Sequence, residues 1–472
     1  MKLLHKTLYK ITCFCLGMLL ITSCSDDFLE VIPKGRLIAD KVVDYDKMFY
    51  NLNLVNMTST NAQVPLGPEF IAFEPQFSSA ALRTQRLYKW EGLVYEAEQN
   101  SSELENTMEN LYIYNKIINE VLQATDGLEQ DKLALQAEAK VGRAWVYLLL
   151  INYYGLPYNS ETSATDLGFP LITEADLVAS NFTRATVKEV YDFIIQDLTS
   201  AIPYLPTSVI SRFRLTKAAG NALLGKTYMF MGEYEKAKPY LEDAFTQMST
   251  MGINAGLLDY NQGYRGQRVD TDPESLYGKQ MVNNWANTSS EFAVKPEVMA
   301  LYDQNDLRLN LYSSNIRGGG AYSIEGAKRK VTGSGQTACG VRIQEIYLFN
   351  AEVKCRLNDL EGAVEVLEEF RRHRMPAQFA VVPTNIASDR KALLQFIFDE
   401  RLREFAGLGF YWFDVRRLTV DADIPTPVSS YSHAIYDNQG NVINSYSLTK
   451  ERLVLRFLQT VLDQNPNLTD NE

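Results

Sequence analysis

Two stretches far apart in this chain carry the same spacing of small residues, and that spacing constrains the fold more than any other feature. In the first, Leu224-Gly225 and Tyr228 are followed by Gly232, Tyr234, Ala237, Leu241 and Ala244. In the second, Asn350-Ala351 are followed by Asn358, Leu360, Ala363, Leu367 and Phe370. Each small residue, Gly225 or Ala351, precedes an alanine, Ala237 or Ala363, by twelve positions. Apolar residues recurring every three or four positions mark one buried helix face. Two such faces joined by a short turn, with small residues where the backbones approach, describe a helical hairpin of the tetratricopeptide pattern. Any other tightly packed αα-hairpin would show the same spacing.

Further helices follow from periodicity and stop signals. Leu104, Met108, Leu111, Asn115, Ile118 and Leu122 form one stripe. A helix over about 130–154 ends at Gly155 and Pro157, and another over 187–201 stops before Pro203 and Pro206. A short helix is expected near 44–54, and a loop over 64–90, where Pro65, Pro68 and Pro75 fall among aromatics. Residues 250–340 are rich in Gly, Asn, Ser and Tyr, with one strand-like piece at 274–281. The expected fold is mostly α: a tetratricopeptide-like helical-hairpin scaffold with a large, irregular, loop-rich insertion bearing a few short strands. Its helical repeats occupy about 100–250 and 340–420. Its irregular, ligand-binding part occupies about 55–95 and 250–340, because long loops on a rigid scaffold are where binding concentrates.

The first 23 residues read as a signal peptide. Lys2, Lys6 and Lys10 precede an apolar run over 11–21, shorter than the ~20 residues needed to span a bilayer. The run closes on Leu20-Ile21-Thr22-Ser23-Cys24, which resembles a bacterial lipobox, so Cys24 is expected to be lipidated and to head a mature chain over 24–472. The formal charge is −12, and removal of three lysines makes the remainder more acidic. An acidic chain argues against nucleic acid and anionic membrane surfaces as partners. Only Cys339 and Cys355 follow Cys24, without metal-ligand spacing. Cys355, beside Ala351, reads as a small core residue.

Several segments resemble one family. Gln136-Ala137-Glu138-Ala139-Lys140 leads to Arg143-Ala144-Trp145-Val146-Tyr147 and Tyr154-Gly155. Asp306-Leu307-Arg308-Leu309 matches a D-x-R-L turn. Glu400-Arg401-Leu402-Arg403-Glu404-Phe405 precedes Gly409-Phe410-Tyr411-Trp412-Phe413-Asp414-Val415-Arg416-Arg417, and Cys24-Ser25-Asp26-Asp27-Phe28-Leu29 is a typical start. Together, in this order, they are similar to the SusD/RagB nutrient-uptake lipoproteins of Bacteroidetes. The resemblance implies a surface-exposed outer-membrane lipoprotein, a partner SusC-like TonB-dependent transporter, and an oligosaccharide or, in some members, a peptide as ligand. Ser25-Asp26-Asp27 resembles the surface-export signal of such lipoproteins. The chain departs from the pattern at Val141-Gly142-Arg143 and at Phe405-Ala406-Gly407-Leu408-Gly409.

The residues themselves carry little catalytic signal. After Cys24 the histidines are His373, in a basic run, and His433, in a polar tail segment. No nucleophile, zinc or phosphate-loop motif accompanies them, so no catalytic residue, metal or cofactor is expected. Glu400 and Glu404 lie at i, i+4 on one helix face, interleaved with Arg401 and Arg403, and read as an ion-pair network reaching Asp414, Arg416 and Arg417. Sugar binding needs flat apolar faces flanked by hydrogen-bonding groups. Trp145 and Trp412 fall in helical signatures and read as core. Asn283, Asn284 and Trp285 have the most sugar-like local composition, and Trp90, Tyr264, Tyr322 and Arg83 complete the expected ligand contacts. Arg83 would suit a carboxylate. The expected function is non-catalytic glycan capture and delivery to the transporter. The rivals are a peptide-capturing relative, a secreted glycoside hydrolase with two converging carboxylates, and a scaffold binding only protein.

Overall fold

The computed structural model of the protein describes residues 39–57, 61–264, 266–282, 291–331 and 336–472. Cys24, Asn283, Asn284 and Trp285 lie outside the described residues.

Helices dominate. Ser102–Glu120, Glu129–Tyr154 and Val187–Ala201 come first, then the pairs Lys217–Met231 with Tyr234–Gln247 and Ile343–Arg356 with Leu360–Arg372, then Arg390–Phe405 and Tyr411–Leu418. Several are started by side-chain caps that satisfy otherwise orphaned amides. Ser101 accepts from the amide of Leu104, Thr216 from Ala219 and Asp389 from Ala392, while Thr186 and Glu189 form a reciprocal capping box.

Both hairpins pack as their spacing requires. A Cβ added to Gly225 would stand 2.7 Å from the Leu241 side chain of the next helix. Ala351 and Ala363 are fully buried in one core with Cys355, Leu367 and Phe370. Cys355 and Cys339 are both free thiols. Trp145 and Trp412 are core residues as well.

The expected loop over 64–90 is corrected. It contains the strand Phe70–Phe73 and the helices Gln63–Leu66 and Leu82–Tyr88. Phe70–Phe73 lies inside a four-stranded sheet, antiparallel to Phe292–Val294 through Phe70 and Val294, and parallel to Ser432–Tyr436 through Ala72 and Ile435. Val442–Ser447 forms the far edge. All four residues of Phe70–Phe73 are buried, so the run is apolar throughout and shows no alternation to distinguish it. His433 is likewise not in a polar tail: it is fully buried on the strand Ser432–Tyr436.

The insertion joins the scaffold where Ser275–Tyr277 pairs with Val341–Arg342, and it pairs with itself where Gln280–Val282 meets Gln336–Ala338.

Candidate functional site

Two of the segments that resembled the family pattern, those of Asp306–Leu309 and Glu400–Phe405, meet in a buried ion network. Arg308 bonds Asp306 at 2.7 Å, Glu400 at 2.6 Å and Glu404 at 3.0 Å. Glu400 also holds Arg403 at 2.7 Å and Arg371 at 2.5 Å, and Arg374 links Glu404 to Glu274 at 2.9 and 2.7 Å. Burial alone would raise the Glu400 carboxyl; the arginines Arg403, Arg308 and Arg371 outweigh it and hold the group well below the usual range. A carboxylate saturated by guanidinium groups has no lone pair to spare for acid–base work. The expected partners are partly corrected. Asp414 pairs with Arg401 and Arg417, whereas Arg416 donates to the carbonyls of Leu453 and Gly155. Among the described residues, no group of His, Cys, Asp and Glu is placed to hold a metal.

Elsewhere, an open groove of about 460 Å³ is lined by residues of the insertion and of the 52–56 segment. Strand alternation builds its floor. Met281 and Thr337 face each other across the pair and are buried, so their neighbours Gln280, Gln336 and Ala338 turn the other way and line the groove. Gln280 is held by its amide, which donates to Asn56 at 2.5 Å, while the Met57 amide donates to the Gln280 carbonyl at 2.7 Å. Phe213 forms one wall. Its position is fixed because the Gly278 amide donates to the Arg212 carbonyl at 2.6 Å, and Arg212 donates onward to the carbonyls of Ser275 and Asn254. Leu52 and Val55 form the opposite apolar rim, with Asn56 and Gln267 between. The charges present are one mutually satisfied pair, Arg268 and Asp270 at 2.9 Å. The groove therefore offers an aromatic face, aliphatic edges and four carboxamides, with no net charge.

Of the expected site residues, Tyr264 falls nearby. It is half-buried, packs on Tyr260 with ring centroids 4.5 Å apart, and lines two recesses that share Gln267 with the groove. Of the three others, Trp90 and Tyr322 are buried and Arg83 is half-buried with its donors engaged. Trp90 is 4% exposed, and its indole N–H donates to the Leu66 carbonyl at 3.1 Å. Tyr322 is buried, its ring packed at a tilt against Phe73 with centroids 4.7 Å apart. Arg83 donates to Tyr95 and Asn61 at 2.9 Å each and to Glu103, so its fork is already engaged. The structure brings none of Arg83, Trp90 or Tyr322 to the groove. Sequence reasoning missed Phe213, Gln280 and Gln336. The one signal was Gln280 beside Met281 in the strand-like piece, since alternation there puts a carboxamide on the face opposite the core.

Comparisons with known proteins agree with this architecture. Residues 27–229 match the SusD-like family model described as starch-binding associating with outer membrane, and residues 323–472 match the SusD family model. The chain belongs to the SusD/RagB family. The SusD-like protein P2 of Formosa agariphila is 24% identical over 357 residues, spanning 62% of this chain and 67% of the relative. A putative sugar binding protein from Bacteroides vulgatus superposes with a TM-score of 0.70 at 20% identity, over 92% of this chain and 99% of that one. A SusD superfamily protein from Bacteroides fragilis gives 0.72 at 18% identity, over 92% and 100%. At such identities the shared property is the SusD fold. No helix among the described residues is long and apolar enough to cross a membrane.

Proposed function

We propose that this SusD-family protein is a non-catalytic, surface-exposed outer-membrane lipoprotein, anchored through Cys24, that captures oligosaccharides in the groove and hands them to a SusC-like TonB-dependent transporter. The observation that carries the ligand class is the groove's chemistry: Phe213 beside Asn56, Gln267, Gln280 and Gln336, in about 460 Å³. That volume lies within the ~300–1,000 Å³ of small-molecule sites. A sugar ring presents a flat C–H face that stacks on an aromatic ring and an equatorial fringe of hydroxyls that carboxamides both donate to and accept from. The transporter partnership, the outer membrane and the lipid anchor are supported by family membership and by the lipobox-like segment ending at Cys24.

The test is binding of the lipid-free protein to a panel of neutral and acidic oligosaccharides alongside a peptide mixture. Saturable binding of neutral glycans without turnover is expected. Peptide binding alone would assign the protein to the peptide-capturing branch, and hydrolysis of a bound glycan would overturn the non-catalytic reading. In cells, Cys24→Ala should release the protein from the membrane fraction and abolish uptake while leaving glycan binding in vitro intact, because a tether keeps captor and transporter at high mutual concentration. Uptake by a fully released protein would contradict this.

A further inference from the structure

Gln267 stands between the groove and a second open recess of about 260 Å³, lined by Leu258, Gln262, Gly263, Tyr264 and Gln267 itself. A narrower recess joins the two. It shares Gln267, Gln336 and Ala338 with the groove, and Leu258, Tyr264 and Gln267 with the outer recess. Gln267 follows Tyr264 by three positions, which spans at most ~11 Å of extended chain. The outer recess is accessible: Gln262 and Gly263 are exposed, and Leu258, Tyr264 and Gln267 are half-buried.

The outer recess repeats the chemistry of the groove. It has one aromatic ring, one aliphatic wall and two carboxamides, with no charged side chain. Its parts are held in place by the buried ion network. Tyr264 packs on Tyr260 with centroids 4.5 Å apart, and the Arg374 guanidinium lies 4.6 Å from the Tyr260 ring and donates to the Leu258 carbonyl at 2.8 Å. The Gln262 amide nitrogen donates to Asp259 at 3.0 Å, which leaves its carbonyl oxygen as an acceptor. A Cβ on Gly263 would meet nothing within 4 Å, so the backbone there is open to a ligand. At ~30 Å³ per water-sized group, the outer recess admits about nine such groups, on the order of one sugar ring, and the groove admits about fifteen.

Resting on the reading of the groove as a glycan site, we infer that the groove and the outer recess are two subsites of one cleft, so that the protein selects neutral oligosaccharides by length, with one ring on Phe213 and a later ring of the same chain against Tyr264. Gln262 and Tyr264 are the length-determining residues. A ligand that joins two sites makes the second contact intramolecular, so affinity rises without any change in the first. A disaccharide fills the groove alone.

The probes are malto-, cello-, xylo- and manno-oligosaccharides, each as the dimer and the hexamer, titrated calorimetrically into the lipid-free protein. In a series that binds, the hexamer should bind about 10- to 100-fold tighter than the dimer, since stacking and a hydrogen bond each add about 2- to 10-fold. The number of dimer registers in a hexamer alone gives about fivefold. Gln262→Ala, at an exposed side chain whose loss spares the fold, and Tyr264→Ala should each lower hexamer affinity about 3- to 10-fold more than dimer affinity. A hexamer no tighter than its registers allow, or equal losses for both lengths in Gln262→Ala, overturns the inference while leaving the glycan groove in place. Binding of no member of any series, nor of any glycan in the wider panel, overturns the groove reading, and this inference with it.

Discussion

Trp90 and His433 stack with ring centroids 4.0 Å apart and planes 13° from parallel, while Tyr88 stacks on the same imidazole at 4.0 Å and 7°. The His433 nitrogens lie 2.6 Å from the Tyr88 carbonyl and 2.9 Å from the Gly67 carbonyl. This sandwich joins the 82–88 helix to the strand Ser432–Tyr436, and so ties the two ends of the chain's fold together. Trp90 is therefore a structural residue. Trp90→Ala should cost about 3–5 kcal/mol of stability, as large-to-small core substitutions of aromatics do. Urea denaturation would show it, and glycan affinity of the folded fraction should be unchanged. Lost affinity with unchanged stability would return Trp90 to the ligand site.

Gly142, one of the departures from the family pattern, has a specific neighbour. A Cβ there would stand 2.4 Å from the ring of Tyr114, which is fully buried and shares a 2.8 Å hydrogen bond with the Tyr277 hydroxyl. Gly142→Ala should destabilise by about 1–3 kcal/mol through overpacking, partly offset by the ~1 kcal/mol that alanine gains over glycine in a helix. The same change in a Tyr114→Leu background should cost less, since the clash is gone. Equal costs in both backgrounds would contradict this packing account.

What the sequence made legible was local. The hairpins, their caps and their stops depend on residues within a turn or two of each other, and Gly225, Ala351 and the 187–201 helix appear as read. The sheet was illegible because Phe70–Phe73 is a buried apolar run whose partners, Phe292–Val294 and Ser432–Tyr436, are remote in sequence. The groove was illegible for a related reason. Phe213, Gln280 and Gln336 come together only through strand pairing and a carbonyl hydrogen bond, and a glutamine in a polar stretch looks the same whether it faces a ligand or water. Exposed-looking aromatics misled in the other direction: Trp90 and Tyr322 follow loop-like composition yet fill the interior.

Lys279 sits without a carboxylate partner in its own hydrogen-bond set. Its ammonium donates to the Leu54 carbonyl and the Tyr114 hydroxyl, and lies 4.7 Å from the Trp145 ring. Burial pushes it down to about 7. An unfolded chain keeps that proton up to the usual lysine range near ~10.4, so between these values the unfolded state binds more protons and stability rises with pH. The slope from this group approaches about 1.4 kcal/mol per pH unit. Denaturation midpoints at pH 7, 8 and 9 should rise in the native protein relative to Lys279→Met, which lacks the titration. Parallel profiles would show that Lys279 stays charged throughout.

The central claim is that a glycan lies on Phe213 with its hydroxyls on the groove's carboxamides. Its most direct test is a crystal structure of the protein with the oligosaccharide selected from the panel, paired with calorimetry on Phe213→Ala. The account predicts a sugar ring stacked on Phe213, hydroxyls within hydrogen-bond distance of Gln280 and Gln336, and a loss of binding in the variant at unchanged stability. A glycan seated elsewhere on the molecule, with Phe213→Ala binding as tightly as the native protein, would contradict it.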